Sequence, residues 1–138
     1  MSSKAYAIDA NVILRHLLGD NEHLSPKAVS ILAAVEDGEL VVLCDPVTLA
    51  EVVWVCKTSY RLHPEEIAEE LLGIIALDGF HIPNKSLYVT ALRLYGTSVP
   101  HFGDACACAH ALAECDGRLL SFDKKLSGVE GVLRAEEV

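Results

Sequence analysis

Long apolar runs, basic residues and repeated tracts are what this chain has least of. Nowhere do apolar residues approach the ~20 in succession that a membrane-crossing helix needs, which excludes a helical membrane span. Near the N-terminus one Lys is followed by Asp9, which breaks any apolar stretch of a signal peptide; this argues against export and for a cytoplasmic protein. Lys and Arg number 11 against 20 Asp and Glu, a formal charge of −9. Broad, non-specific nucleic-acid binding needs a basic face, so the charge speaks against it. A nucleic-acid substrate reached through a metal ion and a few local cations stays open, and the acidic surplus favours basic partners. With no internal repeat, low-complexity tract or linker, nothing divides the chain.

What is present in quantity is apolar. Hydrophobic residues make up 51% of 138 residues, which excludes disorder and predicts one domain, residues 1–138, around a single core. The cysteine count is odd. Cys44, Cys56, Cys106, Cys108 and Cys115 sit in apolar contexts and read as small buried hydrophobes rather than disulfide partners. Cys106-Ala107-Cys108-Ala109-His110 suggests zinc only superficially, because helical neighbours two apart point about 200° away from each other and cannot chelate one ion.

Read in order, residues 4–9 form a first strand and 12–18 a helix stopped by Gly19-Asp20-Asn21. Ser25-Pro26 supplies an N-cap and a first-position Pro for a second helix ending at Asp37-Gly38. The apolar run 40–44 predicts a strand covered on both faces. Asp45-Pro46 starts a third helix, running to about Thr58, by the same cap chemistry. His63-Pro64-Glu65-Glu66 opens a fourth, with acids where the helix dipole favours them and a stripe of Ile67, Leu71, Leu72 and Ile75, ended by Asp78-Gly79. Residues 80–82 make a third strand. Asn84 caps a helix carrying Leu87, Ala91, Leu94 and Tyr95, which Gly96 terminates. A helix of Ala, Cys and Leu, residues 105–114, follows Phe102-Gly103-Asp104. Residues 118–122 form a fourth strand, 124–126 a helical turn, and a last edge strand lies around Val132-Leu133. Strands that alternate with helices, never joined by hairpin turns, imply crossovers, a parallel sheet and ligands at the strands' C-terminal edge.

Four acids stand where that edge would form. Asp9 ends the first strand, and Asn11, two residues on, would share its face of an extended chain. Asp9 equally suits the N-cap of the first helix. Glu51 lies among Leu49, Ala50, Val52, Val53, Trp54 and Val55, where a carboxylate is costly unless paired, or else it marks the helix's one wet edge. Asp104 is either an N-cap, worth about 1 kcal/mol, or a site carboxylate. Asp123 ends the fourth strand as Asp9 ends the first. Clustered carboxylates repel unless a cation neutralises them. Oxygen ligands without His or Cys select Mg²⁺ or Mn²⁺, which can activate water and stabilise charge on a phosphoryl oxygen. Tyr60, Tyr88 and Tyr95 either stack on bases or pack.

Four stretches in this order resemble the motifs of the PIN-domain ribonucleases, and within them the VapC-like toxins of toxin–antitoxin pairs: Ile8-Asp9-Ala10-Asn11-Val12-Ile13-Leu14, Leu49-Ala50-Glu51-Val52, Phe102-Gly103-Asp104-Ala105, and Leu120-Ser121-Phe122-Asp123-Lys124-Lys125-Leu126. Each is weak alone, but the ordered set spans nearly the whole chain. The resemblance implies an α/β fold, a three-layer sandwich with a central parallel sheet and helices on both faces. It implies a Mg²⁺-dependent ribonuclease, with Mn²⁺ able to substitute, acting on single-stranded or structured RNA. It would have Asp9, Asp104 and Asp123 ligate the metal, Glu51 complete the acidic pocket, and Asn11 orient Asp9 or bond near the scissile phosphate. Lys125 stands where some relatives have a further acid, which bears on a second metal. Lys124 and Lys125 either contact RNA phosphate or form a solvated basic turn. The implied partners are an antitoxin with a basic tail and a second copy of the chain. For that homodimer, Leu71, Leu72 and Ile75, or Leu87, Leu94 and Tyr95, are the expected apolar patches.

Two other functions compete. One is a non-catalytic module that binds a basic peptide in its acidic groove. The other is a HAD-type phosphohydrolase, which needs a second Asp where Asn11 stands and a Lys that Leu119-Leu120-Ser121-Phe122 does not offer.

Overall fold

A computed structural model of the chain describes residues 4–138. In chain order the strands are β1 (Ala5–Ala7), β2 (Val41–Leu43), β3 (Phe80–His81), β4 (Arg118–Leu120) and β5 (Leu133–Ala135). The helices are α1 (Ala10–Leu18), α2 (Leu24–Glu36), α3 (Pro46–Thr58), α4 (Pro64–Ile75), α5 (Lys85–Thr97) and α6 (Phe102–Glu114), and a 3₁₀ turn covers Lys124–Gly128. The expected α/β sandwich with a parallel sheet is what forms. β1 pairs with β2 in register Ala5↔Val41, and β2 with β3 in register Val42↔Phe80, all parallel. Each of these pairings spans two helices, as parallel strands require. β4 and β5 make a second parallel ladder, Arg118↔Leu133. Among the described residues no ladder joins it to β1.

The core is built from side chains the apolar periodicity selects. Ile13, Leu49, Leu71, Ile75, Phe80 and Leu92 are fully buried. Helix α4 lies so close to α5 that a Cβ on Gly96 would come 2.8 Å from the Cβ of Ala68. Gly96 therefore sits inside α5 as a contact point, not after it as a terminator. Leu71, Ile75, Leu87 and Tyr95 are buried within the chain, which corrects the expectation that their stripes await a second copy. The large apolar side chains left in solvent lie elsewhere and include Val47, Trp54, Leu120, Phe122 and Leu133.

Local chemistry differs from the sequence reading at several ends. Helix α2 begins at Leu24, before Ser25-Pro26, because the Asn21 side chain accepts the backbone N–H of His23 at 3.0 Å and of Leu24 at 2.8 Å. Helix α4 stops at Ile75, and Asp78-Gly79 belongs to the approach to β3. Asn84 has left-handed backbone (φ 56°) and its side chain makes no capping bond. Strand β2 is not covered on both faces: Val42 is buried but Leu43 is exposed. The Asp45-Pro46 start of α3 holds, with the Asp45 carboxylate accepting the Val47 N–H at 2.7 Å. Gly117 adopts φ 84°, and a Cβ there would collide with the Gly131 carbonyl oxygen, so β4 enters its pairing through a position only Gly fills. No described helix is long and apolar enough to cross a membrane.

Candidate active site

Asp9 follows β1 and takes the N-cap position of α1 with extended backbone, φ −90° and ψ 151°. Its carbonyl accepts the Val12 N–H at 3.1 Å, but its side chain accepts no capping bond. The exposed carboxylate is therefore not used as a cap. The helix already begins at Ala10, so Asn11 lies in its first turn and does not share an extended face with Asp9. Asn11 instead lines a 290 Å³ cleft between α1 and α2 with Arg15 and Lys27.

Glu51 is exposed on α3, the wet edge of an otherwise apolar helix. It borders an 830 Å³ groove between α3, α5 and the start of α6, together with Trp54, Lys57, Tyr88, His101 and Gly103. Of the three tyrosines considered for stacking, Tyr95 is buried in the core. Tyr88 is half-buried at the groove, its phenol pKa raised chiefly by burial. Tyr60 is tied to Asp20, whose carboxylate accepts its hydroxyl at 2.9 Å.

Asp104 is the third residue of α6, whose N-cap is His101. A carboxylate in a first turn is favoured by the helix dipole without being the cap. One turn on, Cys108 is fully buried. Burial raises its thiol pKa, and the carboxylates of Asp104 and Asp123 raise it further. The small side chains Ala105, Cys108 and Ala109 form the buried face of α6.

Asp123 is held by its own turn. Its N–H donates to Ser121 Oγ at 3.0 Å, and its Oδ1 accepts the Lys125 N–H at 3.0 Å. Arg134 on β5 locks that turn from behind. Its Nη1 donates to the Ser121 carbonyl at 2.7 Å and to Glu136 Oε1 at 2.9 Å, and its Nε to Ser127 Oγ at 2.9 Å. No motif marks Arg134. Lys124 and Lys125 are exposed and form no ion pair among the described residues.

The four carboxylates stand on four different segments: after β1, on α3, in the first turn of α6 and at the turn after β4. Glu51 lies in the groove that Gly103, the neighbour of Asp104, also lines. Among the described residues no three His, Cys, Asp or Glu side chains stand close enough to hold a metal ion. The donor chemistry nevertheless fits Mg²⁺, which keeps several waters and takes one or two carboxylates plus a substrate phosphate. None of Asp9, Glu51, Asp104 or Asp123 is neutralised by a Lys or Arg among the described residues. The cysteines are not uniformly buried: Cys115 is exposed and Cys106 half-buried. Burial, with Asp45 nearby, pushes the Cys44 thiol up to about 11, and burial pushes Cys106 up to about 11.

The family model described as PIN domain matches residues 6–132, a span that contains all four acidic motifs. No curated protein matches the chain.

Proposed function

The chain belongs to the PIN domain family, and from that premise we propose that it is a Mg²⁺-dependent endoribonuclease, the VapC-like toxin of a toxin–antitoxin pair, at work in the cytoplasm. PIN domains are typically nucleases and generally use divalent metal ions. The observation that best supports the finer reading is that the matched span, residues 6–132, holds Asp9, Glu51, Asp104 and Asp123, none of them in an ion pair with Lys or Arg among the described residues.

In this reading Asp104 and Asp123 hold Mg²⁺, joined by Asp9, with Glu51 acting through a bound water. The ion supplies a Lewis acid and an activated water for phosphodiester hydrolysis. The chain's own work is to aim the carboxylates. The helix dipole of α6 favours the charge on Asp104, and the Arg134–Ser121 contact fixes the turn from which Asp123 projects. Lys124 and Lys125 meet RNA phosphate. An antitoxin with a basic tail suits a chain of net charge −9, and two copies form a homodimer.

The test is a melting curve and a single-stranded RNA cleavage assay, each in EDTA, Mg²⁺ or Mn²⁺. A cation that binds only the folded protein stabilises it by about 2.7 kcal/mol at a hundred times its dissociation constant. Mn²⁺ should act at lower concentration than Mg²⁺. Asp9→Asn and Asp104→Asn should keep the fold, lose the metal-induced shift, and cut cleavage by at least about a hundredfold. Cleavage that persists in EDTA, or a variant that keeps both effects, would leave a module that binds a basic peptide in its acidic groove as the better account.

A further inference from the structure

The groove beside Glu51 has chemistry that hydrolysis does not require. Trp54 stands one turn after Glu51 on α3 and is 67% exposed, although it is the only tryptophan in the chain. The groove is lined mainly by apolar and aromatic side chains, among them Val53, Tyr88, Tyr95 and Phe102. Lys57, three residues further along α3, reaches the far rim, where its Nζ donates to the Pro100 carbonyl at 3.2 Å. Lys57 and His101 are the groove's basic side chains and Glu51 its only acid.

We propose that this groove is the substrate's base-binding subsite: Trp54 stacks on an unpaired nucleobase next to the phosphate being cleaved, and Lys57 faces the adjoining phosphate. The inference rests on the ribonuclease reading and names its substrate as single-stranded. Three observations favour an RNA base as the occupant. The groove is lined by Glu51, one of the candidate site's acids, and by Gly103, the neighbour of Asp104. Its volume of 830 Å³ suits a nucleotide-sized ligand. A chain of net charge −9 cannot draw affinity from broad phosphate contact, and must take it from stacking and one or two local cations. A base inside a duplex offers no free face to stack on, so this device selects unpaired RNA.

As the sole tryptophan, Trp54 reports on its groove by its own fluorescence. The experiment titrates the full chain, with and without Mg²⁺, with an uncleavable single-stranded oligonucleotide (2′-O-methyl, phosphorothioate) and with its duplex. Saturable quenching by the single strand, and much weaker quenching by the duplex, is expected. Trp54→Ala should weaken oligonucleotide binding, followed by anisotropy of a labelled strand, about tenfold or more, the scale of one lost base stack. In cleavage it should raise KM with kcat little changed, and Trp54→Phe should restore most of the loss. Because Trp54 is exposed, both variants should melt with the parent. No quenching in either condition, equal quenching by the duplex, or a Trp54→Ala variant that binds like the parent overturns the proposal. So does fluorescence that shifts with protein concentration in the absence of RNA, since a second copy then covers the groove. Quenching without metal-dependent cleavage would sink the ribonuclease reading and leave the stacking site; cleavage without quenching would do the reverse.

Discussion

Replacing Gly117 by Ala tests how the second ladder holds the Asp123 turn. The residue sits at φ 84°, and its missing Cβ faces the Gly131 carbonyl. Its own carbonyl accepts the Leu133 N–H at 2.7 Å, next to Arg134. Left-handed backbone costs an L-residue about 1–2 kcal/mol, and overpacking against main chain about 1–3 kcal/mol. Together they predict a loss of about 2–5 kcal/mol. At about 3 °C per kcal/mol for a chain of this size, melting followed by circular dichroism should fall by roughly 6–15 °C. The collision pushes β5 outward and draws Arg134 from the Ser121 carbonyl, so the metal-induced melting shift should shrink as well. Gly73→Ala is the control. Gly73 lies exposed in α4 with nothing within 4 Å of a new Cβ, and the better helix former should add up to about 1 kcal/mol. A Gly117→Ala protein that melts within a degree of the parent would refute the close approach of β4 to β5.

Gly96→Ala should cost about 1–3 kcal/mol by forcing α4 and α5 apart, and Ala68→Gly in the same chain should recover part of that cost, as a double-mutant cycle on melting would record. The proposed homodimer should sediment as two copies at micromolar concentration, and Leu133→Glu, which alters an exposed apolar side chain, should weaken it if β5 lies in the interface; a parent chain that sediments as one copy would count against the dimer.

The sequence was legible where one residue's chemistry decides the local structure. Asp45-Pro46 starts α3 as expected because a cap and a fixed φ act within one turn. Three of the acids, Asp9, Asp104 and Asp123, fall just after a strand or in the first turn of a helix, whereas Glu51 lies inside α3. Legibility failed where two distant segments had to be compared. The stripe of Leu71 and Ile75 and that of Leu87 and Tyr95 each looked like a free surface, but α4 and α5 bury them together. Gly96 looked like a terminator because its contact, Ala68, lies on another helix. Arg134 was invisible for the same reason, since its main partner is a carbonyl, which carries no sequence signal. Glu51 was ambiguous on paper because helical periodicity does not say which edge of an apolar helix is left wet. Asp9 and Asn11 were misjudged together, because a strand of three residues ended before either of them.

The arrangement of neighbours also sets the order in which the chain assembles. The most extensive helix contacts, α4 with α5, α5 with α6 and α1 with α2, join segments adjacent in sequence. The β1–β2 and β2–β3 pairings each close a loop that holds two whole helices. Loop-closure entropy is paid before such a pairing is rewarded, and local contacts pay less of it. The expected order is therefore helix pairs first and sheet pairing afterwards. Gly96→Ala, within such a pair, should slow refolding, whereas a truncation in β2 such as Val42→Ala should act mainly by speeding unfolding. A chevron plot separates the two, and a Gly96→Ala effect confined to the unfolding limb would reverse the order.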